Sequence, residues 1–261
     1  MKNQLKIKLK NNEKVIGTFF TMGSANLLEA LGYTFLDYVI IDTEHGPFDT
    51  ETVMDLVRAA ECVNLTPIIR IADVTHKEIQ RAVDSGAKGI VVPCLKTLDE
   101  MKRLVEFAKF PPIGNRGFIQ GRASGFGEKN WAKDIHQFMA VCNEELLVLP
   151  QCETVQCLEV IEHIVEMEGI DGIFIGPFDL SISMKMPAQF EEEAFLAALE
   201  RVLKACKNAR KPAFIFTSDI KSAQKYIKQG FDGIAYSIDT AVIIQAYQRA
   251  VKQIKQQDMV T

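Results

Sequence analysis

Three apolar, β-type runs in this chain stop abruptly in groups able to bind a cation or move a proton. Tyr38-Val-Ile-Ile leads into Asp42-Thr-Glu44-His45-Gly-Pro47, Val148 to Gln151 into Cys-Glu153-Thr154, and Gly172-Ile-Phe-Ile into Gly176-Pro177-Phe178-Asp179-Leu-Ser181. A fourth run, Pro67-Ile-Ile, ends in Arg70. Glu153 and Asp179 are expected at the ends of neighbouring strands. Two carboxylates so placed can hold a hard divalent cation and leave positions open for water and substrate. Such an oxygen-rich site suits magnesium or manganese, with cobalt and zinc as alternatives. The competing reading of either carboxylate is a salt bridge or a helix cap, and Asp179 precedes a possible helical turn at Leu180 to Ser183.

His45 alone among the four histidines falls at a strand end, whereas His76, His136 and His163 sit in predicted helices. It is therefore the candidate general base. Asp42 or Asp84 could orient its ring, although Asp84 ends the helix before the fourth strand and only folding could bring it close. Arg70 offers a planar, permanently charged fork that can bind a carboxylate or stabilise a developing oxyanion. The plainer alternative is an ion pair at the rim of the fold.

The elements that must position these groups follow from periodicity. Short aliphatic runs alternate with longer amphipathic segments almost from end to end, the signature of parallel strands joined by helices. Strands are predicted at Val15 to Phe20, Tyr38 to Asp42, Pro67 to Ile71, Gly89 to Pro93, Leu146 to Gln151, Gly172 to Gly176, Ala213 to Phe216 and Gly233 to Ser237. Helices are predicted at Thr50 to Val63, Leu98 to Phe107, Val155 to Glu166, Glu191 to Lys207 and Ile220 to Lys228. Gly32, Gly86, Gly169 and Gly230 mark the returns from helix to strand. Eight β/α units without a break predict an α/β fold, a (β/α)8 TIM barrel forming one domain over residues 1–261. An eight-stranded doubly wound sheet shares the same periodicity. Phe107 to Leu146 is a long connection rich in Gly, Pro and Arg, with a further helix expected near Ala132 to Val141. Its length suggests a substrate-facing lid.

A net charge of −4 and a pI near 5.7 lack the basic stripe of a nucleic-acid binder. The one basic tract, Lys6 to Lys14, reads as a solvated face. No apolar run approaches the roughly 20 residues of a membrane span, and no signal segment is visible, so a cytoplasmic location with no membrane partner is expected. The six cysteines (Cys62, Cys94, Cys142, Cys152, Cys157 and Cys206) have no CxxC spacing and read as reduced packing residues.

Taken in order and on these strands, Asp42-Thr-Glu-His-Gly-Pro47, Arg70, Asp84 with Gly86, Val92-Pro93, Glu153-Thr154 and Gly176-Pro-Phe-Asp-Leu-Ser181 resemble the HpcH/HpaI aldolases, metal-dependent class II pyruvate aldolases. The resemblance covers nearly the whole chain. It implies reversible cleavage of a 4-hydroxy-2-oxo acid to pyruvate and an aldehyde through a pyruvate enolate. By the same resemblance Glu153 and Asp179 hold the metal, and His45 is the base, aided by Asp42 or Asp84. Arg70 then stabilises the enolate. The main chain around Gly176, Pro177, Phe178 and Asp179 binds the keto acid. Members are commonly hexamers, trimers of dimers, and Thr240 to Ile254 is the candidate for a last helix exchanged between subunits. Two departures bear on the aldehyde: the Arg116 to Ser124 segment is about two residues short of the corresponding family loop, and Phe216 stands where a smaller aliphatic side chain is usual.

Four rivals remain at this stage. Oxaloacetate decarboxylation yields the same enolate. A Schiff-base aldolase needs a buried lysine at a strand end, and Lys96 is the nearest, although Thr97 and Asp99 beside it look like a helix entry. A phosphate-binding isomerase barrel needs a Gly-rich cradle after strands seven and eight, where the chain reads Phe216-Thr-Ser-Asp219 and Tyr236-Ser-Ile-Asp239. The last is a non-catalytic binding barrel.

Overall fold

The computed structural model describes residues 2–257, and residue 1 and residues 258–261 of the expected 1–261 span lie outside the described residues. Eight strands, β1 (Val15–Phe20), β2 (Tyr38–Asp42), β3 (Thr66–Arg70), β4 (Gly89–Val92), β5 (Leu147–Cys152), β6 (Ile173–Ile175), β7 (Ala213–Thr217) and β8 (Gly233–Ile238), close into a barrel in sequence order. Every pairing is parallel, including β1 with β8, so the doubly wound alternative is excluded.

Side-chain alternation divides each strand between two cores. Tyr38, Ile40, Leu147, Leu149, Phe174 and Phe214 fill the barrel interior, while Val39, Ile41, Val148, Ile173 and Ile215 face the helical shell. The interior is crowded: a Cβ on Gly17 would lie 2.4 Å from the Tyr38 ring, so only glycine fits there. Following the alternation upward places Asp42, Arg70, Gln151, Phe19 and Phe216 at the carboxyl end of the interior.

The shell comprises α1 (Gln4–Lys10), α2 (Ala25–Leu31), α3 (Thr50–Cys62), α4 (His76–Asp84), α5 (Leu98–Ala108), α6 (Ile135–Glu145), α7 (Val155–Glu159), α8 (Ile161–Glu166), α9 (Pro177–Ser183), α10 (Glu193–Ala209), α11 (Ile220–Gln229) and α12 (Asp239–Gln257). Several start on side-chain caps; Thr97 and Glu100 form a reciprocal capping box on α5, which makes Lys96 part of a helix entry and leaves it exposed. The expected helix from Val155 to Glu166 is broken at Val160, and Arg201 on α10 takes the Glu159 carbonyl beside the break at 3.1 Å.

Two expectations require correction. The basic tract is a solvated face only in part: α1 lies across the amino end of the barrel with Leu5 in the interior core, and Lys6, Lys8 and Lys14 pair with carboxylates that precede strands, while Lys10 to Lys14 stay exposed. Lys6 meets Asp171 at 2.5 Å and Lys14 meets Asp232 at 2.8 Å, while Lys8 pairs with Asp37. Pairing a buried or half-buried carboxylate recovers the cost of desolvating it, so the lysines are drawn down onto the barrel. The long connection is likewise no lid over this chain's own mouth. Helix α5 has already returned the chain to the amino end when the loop begins. There Arg116 binds Asp84 at 2.8 Å, Arg122 binds Glu61, and Lys109 donates to the Leu146 carbonyl at 2.8 Å. The cysteines are free, but only Cys152, Cys157 and Cys206 are buried, whereas Cys62 and Cys94 are exposed.

Candidate active site

The carboxyl ends of β2, β3, β5 and β6 converge on an open cavity of about 160 Å³, lined among others by Asp42, His45, Arg70, Gln151, Asp179 and Phe216. Residue Arg70 organises one side. Its Nε and Nη2 donate to the two oxygens of Asp42 at 2.9 and 2.6 Å, and Nη1 lies 3.1 Å from Glu44 Oε2. Burial opposes its charge, but the carboxylates of Asp42 and Glu44 outweigh that and hold the guanidinium above its ordinary value. Below, its Cζ sits 4.7 Å from the centre of the Phe19 ring.

This arrangement corrects the reading of Asp42. It does not orient the His45 ring; both of its oxygens grip Arg70, and Oδ1 also accepts from the Glu44 amide at 3.1 Å. Nor does Asp84 reach the mouth of its own barrel. It ends α4 at the opposite end of the barrel, bound to Arg116 in a separate cavity with Lys88 and Trp131. His45 itself is 73% exposed at the side chain, with Nε2 4.0 Å from Glu44 Oε2. It stands at the rim of the cavity, and the tight turn beneath it requires Gly46, where a Cβ would fall 2.0 Å from the Asp42 carbonyl.

Glu153 occupies the other side and is only 4% exposed. Its Oε1 accepts from the Cys94 amide and its Oε2 from Gln151 Nε2. Burial pushes its carboxyl up; the Cys94 amide opposes this, and the nearby charges of Asp179 and Glu44 add to it. Glu44 is raised as well, first by burial, with Arg70 and His45 opposing and Asp42 and Asp179 adding. The Cys94 thiol is pushed up to about 11 by burial and by Glu153. Asp179, in the first turn of α9, is exposed, and among the described residues its carboxylate accepts no hydrogen bond and forms no ion pair. The start of α9 can press so closely on Glu153 because residue 176 is glycine: a Cβ there would lie 2.6 Å from Gln151 Nε2 and 2.9 Å from Glu153 Oε2.

Among the described residues Glu153 is buried near Asp179 and Glu44 with no cation paired to it, and a divalent cation fits that deficit. The donor set is hard oxygen. Among the described residues no three His, Cys, Asp or Glu side chains are arranged to hold an ion, so Glu153 and Asp179 can supply only part of a coordination shell. The rest would come from water and substrate.

Gln151 had no role in the sequence reading. It is 2% exposed, donates to Glu153 and leaves its Oε1 buried without a partner beside the cavity. The signal for it was alternation: two residues before Glu153 on β5, it must share the inward face with Leu147 and Leu149. Phe19 and Phe174, which floor the cavity, were findable by the same rule. Amides after β7 and β8, where a phosphate cradle would form, are engaged within the chain: the Asp219 amide donates to Thr217 Oγ1 at 3.4 Å, that of Ser222 to Asp219 Oδ1 at 2.9 Å and that of Thr240 to Asp239 Oδ1 at 2.8 Å.

The sequence matches the family described as HpcH/HpaI aldolase/citrate lyase over residues 15–246. It is 31% identical over 242 residues to a pyruvate aldolase of Rhizobium etli, covering 92% of this chain and 93% of that protein. It is 29% identical over 255 residues to a 2-keto-3-deoxy-L-rhamnonate aldolase of Klebsiella pneumoniae, covering 98% and 94%. Among solved structures, a HpcH/HpaI aldolase/citrate lyase family protein of Burkholderia cenocepacia superposes with a TM-score of 0.89 at 29% identity, covering 97% of this chain and 99% of the other. Relatives named as aldolases do not favour the decarboxylase alternative.

Proposed function

The chain belongs to the HpcH/HpaI aldolase/citrate lyase family and is a class II aldolase, and from that premise we propose that it reversibly joins pyruvate to an aldehyde, giving a 4-hydroxy-2-oxo acid. The observation that carries the reading is one cavity lined by Arg70 and by Asp179, whose carboxylate has no partner among the described residues, with Glu153 buried directly behind the lining residues Gln151 and Gly176. Glu153 and Asp179 hold the divalent cation, magnesium or manganese by their hard oxygens; when bound, it supplies Lewis-acid polarisation of the keto oxygen.

The chain's own groups do the remainder. Asp42 and Glu44 pin Arg70 so that its charge stays fixed at the edge where an enolate oxygen develops. The amides of Phe178 and Asp179, free in the first turn of α9, take the pyruvate carboxylate, and Pro177 sets the turn. In the cleavage direction His45 removes the 4-hydroxyl proton, and in synthesis it returns one. The buried Gln151 Oε1 accepts from a water or hydroxyl in the cavity. Phe216 stands on the side where the aldehyde arrives.

We read the protein as a homo-oligomer, a hexamer built as a trimer of dimers. Support comes from α12, which leaves Ile244, Tyr247, Val251 and Ile254 exposed at helical spacing, an apolar stripe that a second subunit would cover. A reducing cytoplasm suits the free thiols. Among the described residues no helix is long and apolar enough to cross a membrane.

Exchange of the pyruvate methyl protons in deuterated water, followed by NMR, tests the function without an aldehyde. Exchange should vanish on chelation and return with added magnesium or manganese. Exchange that persists after exhaustive chelation would overturn the reading.

A further inference from the structure

The cavity is divided by strand. Its polar groups come from β2, β3, β5 and the loop after β6, while β1, β6, β7 and β8 contribute Phe19, Phe174, Phe216 and Ile238, with Phe178 above them. The rings brace one another: Phe19 meets Phe216 edge to face at 5.7 Å and Phe174 at 6.0 Å, and Phe178 lies 6.2 Å from Phe216 and 5.0 Å from Phe190. Phe216 is half-buried and Phe178 is 43% exposed, so this wall is accessible from the mouth. Charge is distributed as unevenly. Among the described residues lining the cavity the cationic or titratable basic groups are Arg70, already bound by Asp42 and Glu44, and the rim imidazole of His45. Among the described residues lining the cavity, none on the aromatic side is basic.

We infer that the aldehyde partner is uncharged and carries an apolar alkyl or aryl substituent, which rests on Phe19, Phe178, Phe216 and Ile238. This inference rests on the pyruvate-aldehyde reading above. In the reaction pyruvate loses a methyl proton to the base, its methyl carbon bonds to the aldehyde carbon, and the aldehyde oxygen takes a proton, so the only other product is the regenerated base. The substituent does not react; its contribution is burial. Each methylene laid on an apolar wall improves capture by up to about fourfold. A carboxylate or phosphate at the same place would lose its water without gaining a cation, beside surplus carboxylates that repel it.

The full-length protein, supplied with magnesium or manganese, is assayed for aldol addition of pyruvate to ethanal, propanal, butanal and pentanal, to benzaldehyde, and to 4-oxobutanoate, the anionic counterpart of butanal. Expected is a kcat/KM that climbs about two- to fourfold per methylene and favours butanal over 4-oxobutanoate by about tenfold or more. Phe216→Leu should flatten the climb and lower the pentanal value by about tenfold. Should that variant fail to fold, Phe178→Leu, at an exposed position, reads out the same wall. Pyruvate methyl exchange is measured alongside, without aldehyde. Normal exchange with a flat chain-length series, or with 4-oxobutanoate matching butanal, overturns this inference and leaves the pyruvate reading standing. Absent exchange overturns both.

Discussion

At the amino ends of the strands Lys6, Lys8, Lys14, Lys88 and Lys109 each meet a carboxylate, whereas at the carboxyl ends carboxylates outnumber cations. Below, Asp171 accepts from Lys6 at 2.5 Å, Lys109 at 3.0 Å and the Val148 amide at 2.9 Å, and Glu61 serves both Lys88 and Arg122. Above, Asp42, Glu44, Glu153 and Asp179 share Arg70 and an exposed histidine. Both ends draw on the same residue types around one barrel. The lower set is neutralised within the chain and stabilises the barrel; the upper set is left short of positive charge, which leaves it open to a cation.

If that contrast is right, changes at the two ends should have opposite signatures. Glu153→Gln keeps the shape and the Gln151 neighbour but removes the charge, so methyl exchange and aldol turnover should both be lost, with magnesium or manganese binding by calorimetry abolished and the melting temperature retained. Retained metal binding would place the ion elsewhere. His45→Ala should slow turnover by about 10²- to 10⁴-fold without altering metal affinity, as for loss of a general base. A near-normal rate would pass the proton to another group. Arg70→Lys keeps the charge but not the fork, and it leaves Asp42 imperfectly paired; a fall of about 10²-fold is expected in both kcat and kcat/KM. A rise in KM alone would mean anchoring rather than enolate stabilisation.

Asp171→Asn, at the lower end, should do the reverse. Unfolding in urea should show a loss of about 3 kcal/mol, because Lys109, only 2% exposed, loses its counter-charge. The kcat/KM of this variant should stay within about twofold, since distant sites act independently. The smallest effect is in pH. Burial lowers the Lys109 ammonium to about 8, with Asp171 opposing and Lys6 adding. An unfolded lysine titrates near 10.4, so between about pH 8 and 10.4 the unfolded chain binds more protons and this group's contribution to stability rises with pH. Relative to Lys109→Met, the wild type should therefore gain about 2 kcal/mol from pH 8 to 10 in urea unfolding curves. A loss over that range would reverse the assignment.

Much of this was legible in the chain. Burial on both faces writes a continuous apolar run, so all eight strands fell within two residues of their observed limits, and the residues terminating them were at the mouth as expected. Alternation within the runs also held the positions of Gln151 and Phe19, although the eye follows charged endings more readily than a buried amide. Local patterns were weaker at α1 and α2, each of seven residues, too short for a clear helical period.

What the sequence by itself determined, then, was the barrel and the place of Asp42, Glu44, His45, Arg70, Glu153 and Asp179 along it, because burial and periodicity are local properties that each segment carries with it. Which charge meets which was decided only by the tertiary structure. Asp42 could have turned to His45 three positions away, yet it grips Arg70, 28 positions distant, because adjacent parallel strands set the two side by side in register. Asp84 went to Arg116 in the long connection, and Lys6 on α1 to Asp171 across 165 positions, because the closed barrel brings these segments together at its amino end. Electrostatic partnership depends on distances of a few ångströms across the closed sheet and its shell, and separation along the chain carries almost no information about those.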